Sequence, residues 1–410
     1  MEDSDFPEAH PGPLVRTKAA SMDFLYISPE FPPYSEMFIQ SMNRRGGRVW
    51  GLGETDFYDM PASLRAALKW YVRTDLNNPD AVRQAVERLL AAQAGLGLVP
   101  RIDRVESHNE QWLRLEGLIN ADFGIPGVRP DELDRLKKKS AMKSVFQTSG
   151  FRVAEGGLVR STAHGLELAD AMGFPLILKP DEGVGACGIY RVENRSDLEA
   201  ALSRVSGPYL IERCIHAPIV TYDGLTDGGG RVVFENSLIY GDGVLEYVLG
   251  KDTFFYVNRR IPADLAEAGR RLVPAFDIRG KFFHFEFFRV DGAFWPIEIN
   301  CRPPGGPILD MMNFSADVDL YEAYACMVMG ETVALSQEKK YYCAYMGRRE
   351  RDYAMSHETL VDAFGTALVD FSENPPLFQQ AMGRWRYILR SPSEEEILRM
   401  AERILARRAV

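Results

Sequence analysis

The amino-acid sequence predicts an α/β protein with more than one domain. The chain has 410 residues, and a domain has roughly 100–200. Strand-like and helix-like segments alternate over residues 22–128, whereas residues 209–300 are mainly strand-like. Alternation is typical of a parallel sheet with helices on its faces. We therefore expect an open α/β domain followed by a region of mixed α and β structure.

The N-terminal part is predicted to be a small open sheet with helices. Apolar runs give the strands, apolar residues at helical spacing give the helices, and Gly46-Gly47 ends the first helix. The predicted elements are strand 23–28, helix 35–46, strand 48–53, helix 79–96 and strand 101–106. We place this domain at 22–128. Residues 1–21 are predicted to be a flexible tail, or sequence upstream of a start at Met22.

The remaining segments follow the same rules. Pro130 and Asp131 open a helix that ends at Gly150, and Ser196 is the predicted N-cap of another. A Gly-rich loop at 181–188 follows an apolar strand. The predicted elements are helix 131–149, strands 174–179 and 189–193, helix 196–205, strands 209–213, 219–223, 231–240, 281–289 and 294–300, helix 317–330 and helix 393–407.

Composition excludes several classes of protein. The chain has 48 basic and 58 acidic residues, a formal net charge of −10, and so lacks the broad basic surface of a nucleic-acid binder. Its five cysteines are odd in number with no CxxC pair, which argues against a disulfide framework and a cysteine-type zinc site. No apolar stretch reaches the length of a membrane span. We predict a cytoplasmic protein without nucleic-acid or membrane partners.

The strongest chemical signal is the segment 281–306, KFFHFEFFRVDGAFWPIEINCRPPGG. It reads as a hairpin of two apolar strands, with Glu286 and Glu298 as the acids within them. A two-residue turn would put these acids on opposite faces, so we predict a three-residue loop with Gly292 in the left-handed conformation. That register puts both acids on one face with Asn300. Two carboxylates and an amide oxygen suit Mg²⁺. The alternative is a solvated hairpin face.

A second signal is FPLILKPDEGVGACGI at 174–189. Lys179 ends a buried strand, and Gly183, Gly185 and Gly188 follow. Glycines let backbone N–H groups approach phosphate oxygens, to which a lysine adds a point charge. A tight β-turn explains the same residues equally well. The third segment, GPYLIERCI at 207–215, reads by itself simply as a strand.

In this order, the three segments resemble the ATP-grasp superfamily over roughly residues 130–330. The resemblance implies an ATP-grasp fold, α+β in its core, with a central subdomain at 129–208, a metal-binding subdomain at 209–330 and a small extension at 331–410. The roles that it implies are phosphate binding for Lys139, Lys179, Gly183 and Gly185, adenine contacts around Glu212, Arg213 and Ile215, magnesium binding for Glu286, Glu298 and Asn300, and charge stabilisation by Arg302.

Two positions depart from the family pattern. Ile219 stands where the family often has an acid that binds ribose, and Asp223 is a possible substitute. His284 stands where many peptide ligases of the superfamily have an arginine. It could be a substrate ligand, a base or a packed histidine, and we keep it as a candidate catalytic residue beside Arg302.

Over nearly the whole chain, DFLYISPEFPP, ESHNEQW, HFEFF, EINCRPPGG and DMMNF look like bacterial carboxylate–amine ligases. The resemblance implies ATP with two Mg²⁺ ions, for which Mn²⁺ could substitute, small carboxylate and amine substrates such as amino acids, and a possible homodimer. Alternatives are transfer of the acyl group to a carrier-protein thiol, or a regulatory nucleotide-binding module. Residues 241–258 are either a lid or a packed strand pair.

Two further polar runs each have two interpretations. His108, Asn109 and Glu110 either touch an acceptor substrate or form an N-cap and first helical turn, and we favour the latter. Arg348, Arg349 and Arg351 read as a solvated face, with a carboxylate-binding patch as the alternative.

Overall fold

The computed structural model describes residues 21–183, 188–333 and 335–408. Within these ranges the chain forms three β-sheets with helices packed around them. The predicted tail, apart from its last residue, and the predicted phosphate-loop residue Gly185 lie outside the described residues.

The first sheet is parallel, as predicted. Its strand order is β3-β2-β1-β4. Leu25, Trp50 and Val86 are among the buried side chains that join strands to helices. The predicted strands and helices are all present, but α2 and β3 are not foreseen by the sequence patterns. The elements are β1 (Asp23–Ile27), α1 (Ser35–Arg44), β2 (Arg48–Gly53), α2 (Ala62–Ala67), β3 (Trp70–Arg73), α3 (Pro79–Gly95), β4 (Arg104–Glu106) and α4 (Leu113–Asp122).

The predicted helix at 131–149 is broken, which corrects the sequence interpretation. A 3-10 turn at Pro130–Glu132 leads into α5 (Asp134–Lys137) and then α6 (Lys139–Thr148), with Lys138 in an extended conformation between them. Two backbone N–H groups at the start of α6 bond to Asp181: that of Lys139 to its carbonyl and that of Ser140 to its carboxylate, each at 2.8 Å. Asp181, in the Gly-rich segment, thus caps the start of α6. Because the capping residue comes from another part of the chain, the helical pattern of 131–149 does not predict the break.

The second sheet is antiparallel, in the order β5-β8-β6-β7. The N-cap of its second helix is Asn194 and not Ser196, because the Asn194 side chain accepts from the backbone N–H of Asp197 at 3.0 Å. The elements are β5 (Gly156–Val159), α7 (Thr162–Met172), β6 (Leu176–Pro180), β7 (Tyr190–Val192), α8 (Arg195–Leu202) and β8 (Tyr209–Arg213).

The third sheet has nine strands in the order β14-β13-β9-β11-β12-β15-β17-β16, with β10 paired to β9. Strands of the C-terminal extension therefore continue the sheet that carries the hairpin. Its elements are β9 (Ile219–Thr226), β10 (Val232–Asn236), β11 (Leu238–Tyr240), α9 (Val244–Val248), β12 (Thr253–Val257), α10 (Ala263–Ala275), β13 (Phe282–Val290), β14 (Ala293–Asn300), α11 (Ile308–Ala316), α12 (Leu320–Val328), β15 (Tyr342–Arg348), α13 (His357–Phe364), β16 (Leu368–Glu373), α14 (Pro376–Met382), β17 (Trp385–Ser391) and α15 (Glu394–Leu405).

Arg348 is buried, contrary to the predicted solvated face. Its guanidinium donates to the carbonyl oxygens of Ile404 at 2.7 Å and Met355 at 2.8 Å. The neighbouring Arg349 donates to backbone carbonyls as well, including Lys251 at 3.0 Å. These arginines therefore join β15 to the segments around it.

A buried ion cluster joins the first sheet to the third. Lys281, beside β13, contacts Glu106 of β4 and Glu116 of α4, each at 2.8 Å. The hydroxyl of Tyr324 donates to Glu106 at 2.6 Å. Buried charges are stable only when paired and hydrogen-bonded, and this cluster meets that condition.

Candidate active site

A bulged hairpin places the two predicted metal acids opposite each other. Val290 pairs with Ala293 across a two-residue turn in which Asp291 and Gly292 both have positive φ, so the predicted three-residue loop is wrong. A bulge in β14, where Phe287 pairs with Pro296 but Glu286 pairs with Glu298, shifts the register by one residue. Both acids therefore lie on one face, as predicted, but because of the bulge in β14 and not because of a three-residue loop.

Neighbouring cations neutralise these two acids. Glu298 accepts from Lys139 Nζ at 3.2 Å and from Asn300 Nδ2 at 3.2 Å. Glu286 lies 3.0 Å from His284 Nε2. Burial acts to raise the pKa of Glu298, but the charges of Lys139 and Lys179 together with the hydrogen bonds from Asn300 and Lys139 outweigh it and hold the pKa below its ordinary value. Each of the two carboxylates thus lies beside a basic side chain.

The buried carboxylate of Asp223 contacts the ring of His284. Its Nδ1 lies 2.5 Å from Asp223 Oδ1, and the other Asp223 oxygen accepts from Thr221 at 2.7 Å and from Asn236 at 3.2 Å. Burial alone would lower the pKa of His284. The charge of Asp223 and the hydrogen bonds with the carboxylates of Asp223 and Glu286 together have a larger, opposite effect and raise the pKa to about 10. Asp223 is fully buried beneath His284, so its placement contradicts the expectation that it contacts ribose.

Three lysines converge on one face of the second sheet and its neighbouring helix. Glu212 lies between Lys179 and Lys143, each at 2.7 Å. Burial acts to raise the pKa of Glu212, but the two lysines outweigh it and lower the pKa. The ammonium group of Lys139 lies 3.5 Å from the carbonyl oxygen of Gly183, the described glycine of the predicted phosphate loop.

A cleft of about 610 Å³ lies between the second and third sheets. Its volume is within the range of about 300–1,000 Å³ that is usual for small-molecule sites. Its charged lining includes Lys139 and Lys179 from the second sheet and its helix, and Glu286 and Glu298 from the hairpin. Five further charged side chains also line it: Arg191, Glu212, Arg213, Asp242 and Glu246. The apolar lining includes Ala154, Ile177, Ile189, Ile215, Ile219, Phe288 and Ile297. The cleft can accept a molecule with a flat apolar part and an anionic tail.

The residues predicted to contact adenine, Glu212, Arg213 and Ile215, all line this cleft. The side chain of Arg213 is turned to Glu155, with Nη2 and Oε2 3.0 Å apart. Ile219, which replaces the family's ribose acid, also lies in the wall. The structure therefore brings five of the predicted nucleotide residues and the two metal acids to one cleft: Lys139, Lys179, Glu212, Arg213, Ile215, Glu286 and Glu298.

The segment 241–258 divides between its two interpretations. Its first part borders the cleft through Gly241, Asp242, Gly243 and Glu246, and it includes α9. Its second part is β12, an internal strand paired with β11 and β15.

Arg302 follows β14 and donates to the carbonyl oxygen of Pro303 at 2.8 Å. Within the described ranges, no carboxylate lies within 4.0 Å of its guanidinium nitrogens. Glu110 contributes to the field around Arg302: burial raises the pKa of Glu110, and the charges of Lys137 and Arg302 act to lower it. Lys137 lies 3.1 Å from Glu110 Oε1, while Oε2 is buried and has no hydrogen-bond partner among the residues described.

Lys143 and Glu110 are functional candidates that sequence reasoning misses or ranks low. Lys143 follows Lys139 by four residues, so the helical period would put both on one face once the helix start at Lys139 is known. Asn109 is the N-cap of a 3-10 turn, as favoured, but Glu110 in that turn points into the buried region near Arg302. No local pattern signals that burial.

No family model matches the sequence. An L-arginine-specific L-amino acid ligase of Bacillus subtilis is 24% identical over 233 residues, 54% of this chain and 56% of that protein. The chain spans 58% or less of the length of curated relatives that it matches. The crystal structure of L-amino acid ligase from Bacillus licheniformis is similar with a TM-score of 0.73, at 15% identity over 94% of this chain and 97% of that one.

The crystal structure of N5-carboxyaminoimidazole synthetase from Staphylococcus aureus complexed with ADP has a TM-score of 0.69, at 15% identity over 94% of this chain and 98% of that one. These neighbours are ATP-grasp enzymes, and this chain shares their mixed α/β fold. The chain has the ATP-grasp fold, and its relatives indicate the ATP-grasp superfamily, as the sequence resemblance predicted.

Proposed function

We propose that this protein is an ATP-dependent carboxylate–amine ligase. A substrate carboxylate takes the γ-phosphoryl group of ATP, giving an acyl phosphate and ADP. An amine then forms the C–N bond and inorganic phosphate leaves. The observation that carries the proposal is the cleft in which two lysines face two paired carboxylates beside an apolar wall. The sequence relatives named as ligases support the same class of enzyme.

The donor set at the hairpin fits magnesium. Two carboxylates and an amide oxygen are hard ligands, and Mg²⁺ usually takes one or two protein carboxylates and completes its shell with water and phosphate. Across the described parts of the chain, no group of three or more His, Cys, Asp and Glu residues could hold a metal. We assign Glu286, Glu298 and Asn300 as ligands of Mg²⁺, two ions in the proposal, with Mn²⁺ as a substitute. The metal would neutralise charge on the phosphates.

The chain's own residues bind, orient and stabilise charge. In this proposal Lys139 and Lys179 hold phosphate oxygens, and the contact of Lys179 with Glu212 at 2.7 Å supports that role for Lys179. Arg302, without an acidic partner within the described residues, is free to stabilise the anionic acyl phosphate. Because both ring nitrogens of His284 are engaged, by Asp223 and Glu286, we assign it as a positioning residue and not as a base.

The proposed partners are a small carboxylate and a small amine, amino acids in the first instance. Among the described residues, no helix has the length and apolarity needed to cross a membrane. A homodimer and a cytoplasmic location stay predictions.

Release of ADP tests the proposal. Wild-type protein with Mg-ATP and pooled amino acids, small acids and amines should release ADP only when substrates are present. Glu298→Gln should lower that rate by about 10²–10³, the usual effect of losing one electrostatic contact to the transition state. Exposed Glu267 on α10 offers the matched control, Glu267→Gln, which should leave the rate unchanged. Full activity in Glu298→Gln would refute the metal assignment.

A further inference from the structure

A second pocket, of about 250 Å³, lies outside the nucleotide cleft. Four parts of the chain form it: the segment around Tyr34, the loop and helix after Arg302, Tyr321 of α12, and the C-terminal extension around α14. Its volume is below the range of about 300–1,000 Å³ that is usual for drug-sized ligands. The pocket therefore suits one small molecule.

The loop that follows Arg302 forms part of the wall of this pocket. Gly306 and Pro307 line it, and they follow Arg302 by four and five residues. Burial raises the pKa of Tyr34 to about 12, and the charges of Arg302 and Asp310 act on it in opposite directions. Tyr34 is thus near both the proposed charge-stabilising arginine and the acid in the pocket wall.

Two charged side chains of opposite sign line the pocket. Asp310 accepts a hydrogen bond from the Tyr321 hydroxyl at 2.7 Å, and no cationic group of the described residues lies within 4.0 Å of it. Arg386 donates through Nε to Asp370 at 2.6 Å, and its two terminal nitrogens have no hydrogen-bond partner in the described parts of the chain. An unpaired carboxylate attracts an ammonium group, and a free guanidinium edge accepts a carboxylate in bidentate fashion.

Beside Asn374 and the two tyrosines Tyr34 and Tyr321, the rest of the wall is apolar. It is formed by Pro33, Met37, Pro307, Pro375, Phe378 and Met382. The Phe378 ring stacks on Phe31 with ring centroids 5.8 Å apart, so it is held in place. Apolar surface of this kind gains free energy when it buries an apolar side chain.

We infer that this pocket binds the acceptor substrate as a free apolar α-amino acid. Its carboxylate binds Arg386, its ammonium group lies at Asp310, and its side chain packs between Met37, Phe378 and Met382. The inference rests on the proposed function, which it deepens by naming the class of acceptor. It also gives the C-terminal extension a role, because Phe378, Met382 and Arg386 all belong to it.

Binding of amino acids to the full chain saturated with Mg-ADP tests the inference. Calorimetric titration with L-leucine and L-phenylalanine is compared with titration of isoamylamine and phenethylamine, which lack the carboxylate. Wild-type protein should bind an amino acid at least tenfold more tightly than its amine analogue. Arg386→Gln should abolish that preference, because it removes the guanidinium and keeps a polar side chain.

Two further variants separate binding from folding. Met37 is 45% exposed, so Met37→Trp should fold and should weaken binding of both ligand types by filling the pocket. Arg384 is a partly exposed arginine two residues from Arg386 and pairs with Glu373, and Arg384→Gln should bind as wild type does. The inference is overturned if wild-type protein binds neither amino acid, or if Arg386→Gln and Met37→Trp both bind as tightly as wild type.

The failure of the proposed function would look different. Amino-acid binding that depends on Arg386, with no ADP release from any substrate pool, would remove the ligase activity but retain the pocket. ADP release with amino acids that is indifferent to Arg386 and Met37 would retain the ligase and remove the pocket.

Discussion

Lys139 and His284 each neutralise one of the two carboxylates that the hairpin places side by side. Like charges at this separation would otherwise repel each other and raise one pKa strongly. The lysine also approaches the backbone of the phosphate loop, at Gly183. Lys139 thus contacts both the proposed metal ligand Glu298 and the proposed phosphate site. A change at either site should therefore alter the other.

Arg302→Ala should lower kcat by about 10², which is about 3 kcal/mol of transition-state stabilisation, like the loss of an oxyanion donor. The reason is that Arg302 has no acidic partner among the described residues and follows directly after the metal acids. Steady-state ADP release measures the effect. Arg289→Ala, an exposed arginine near the turn of the same hairpin, is the control. Equal rates for Arg302→Ala and Arg289→Ala would mean that another residue stabilises the charge.

At the level of elements, local patterns predict more than half of the architecture. Apolar runs give most strands, including β8 at the predicted residues 209–213. They do not give the two-residue turn at Asp291-Gly292, because a bulge in β14 compensates for it and bulges have no reliable sequence signal. The break at Lys138 and the burial of Arg348 are likewise set by tertiary contacts, with Asp181 and with Ile404.

Helix α10 packs on β9 through a glycine. A Cβ atom at Gly269 would lie 2.0 Å from Tyr222 Cδ1. The Tyr222 ring cannot move away freely, because it stacks on Phe283 and donates from its hydroxyl to Glu235 at 2.8 Å.

Gly269→Ala should therefore lower the free energy of unfolding by about 1–3 kcal/mol or more, as overpacking does. Urea denaturation measures this. Gly95→Ala is the control, since a Cβ there meets nothing within 4 Å. Wild-type stability in Gly269→Ala would mean that α10 sits farther from β9 than described.

At the scale of the whole molecule, the second and third sheets must lie against each other for the cleft to exist. The nucleotide lysines come from one sheet and its helix, and the metal acids from another. The cluster around Lys281 ties the first sheet to the hairpin strand. Sequence patterns predict strands within each sheet but not how the sheets pack together, because the pairing of β12 with β15 and the contacts of Lys281 span 86 residues or more of chain. The prediction that the site residues lie close together came instead from the family resemblance.

The same cluster predicts a pH dependence of stability. Burial raises the pKa of Glu116 to about 7, against the opposing charge of Lys281. A carboxyl group whose folded pKa is raised binds its proton more tightly in the folded state, so it contributes stability at low pH that is lost as the pH rises from about 4.5 to about 7.

The free energy of unfolding of wild type relative to Glu116→Gln should therefore fall by about 1.4 kcal/mol per pH unit over that range. Urea denaturation of both proteins at several pH values measures the difference. The same substitution at exposed Glu87 is the control. A constant difference between wild type and Glu116→Gln would mean that Glu116 is ionised throughout.

Mass spectrometry of reactions with Mg-ATP and paired pools of acids and amines tests whether this chain joins a carboxylate to an amine at the expense of ATP. We expect ADP release that requires two components, with a product whose mass is their sum minus water, and loss of both signals in Glu298→Gln. ATP binding without any such product, from amino-acid, acid and amine pools alike, would contradict it.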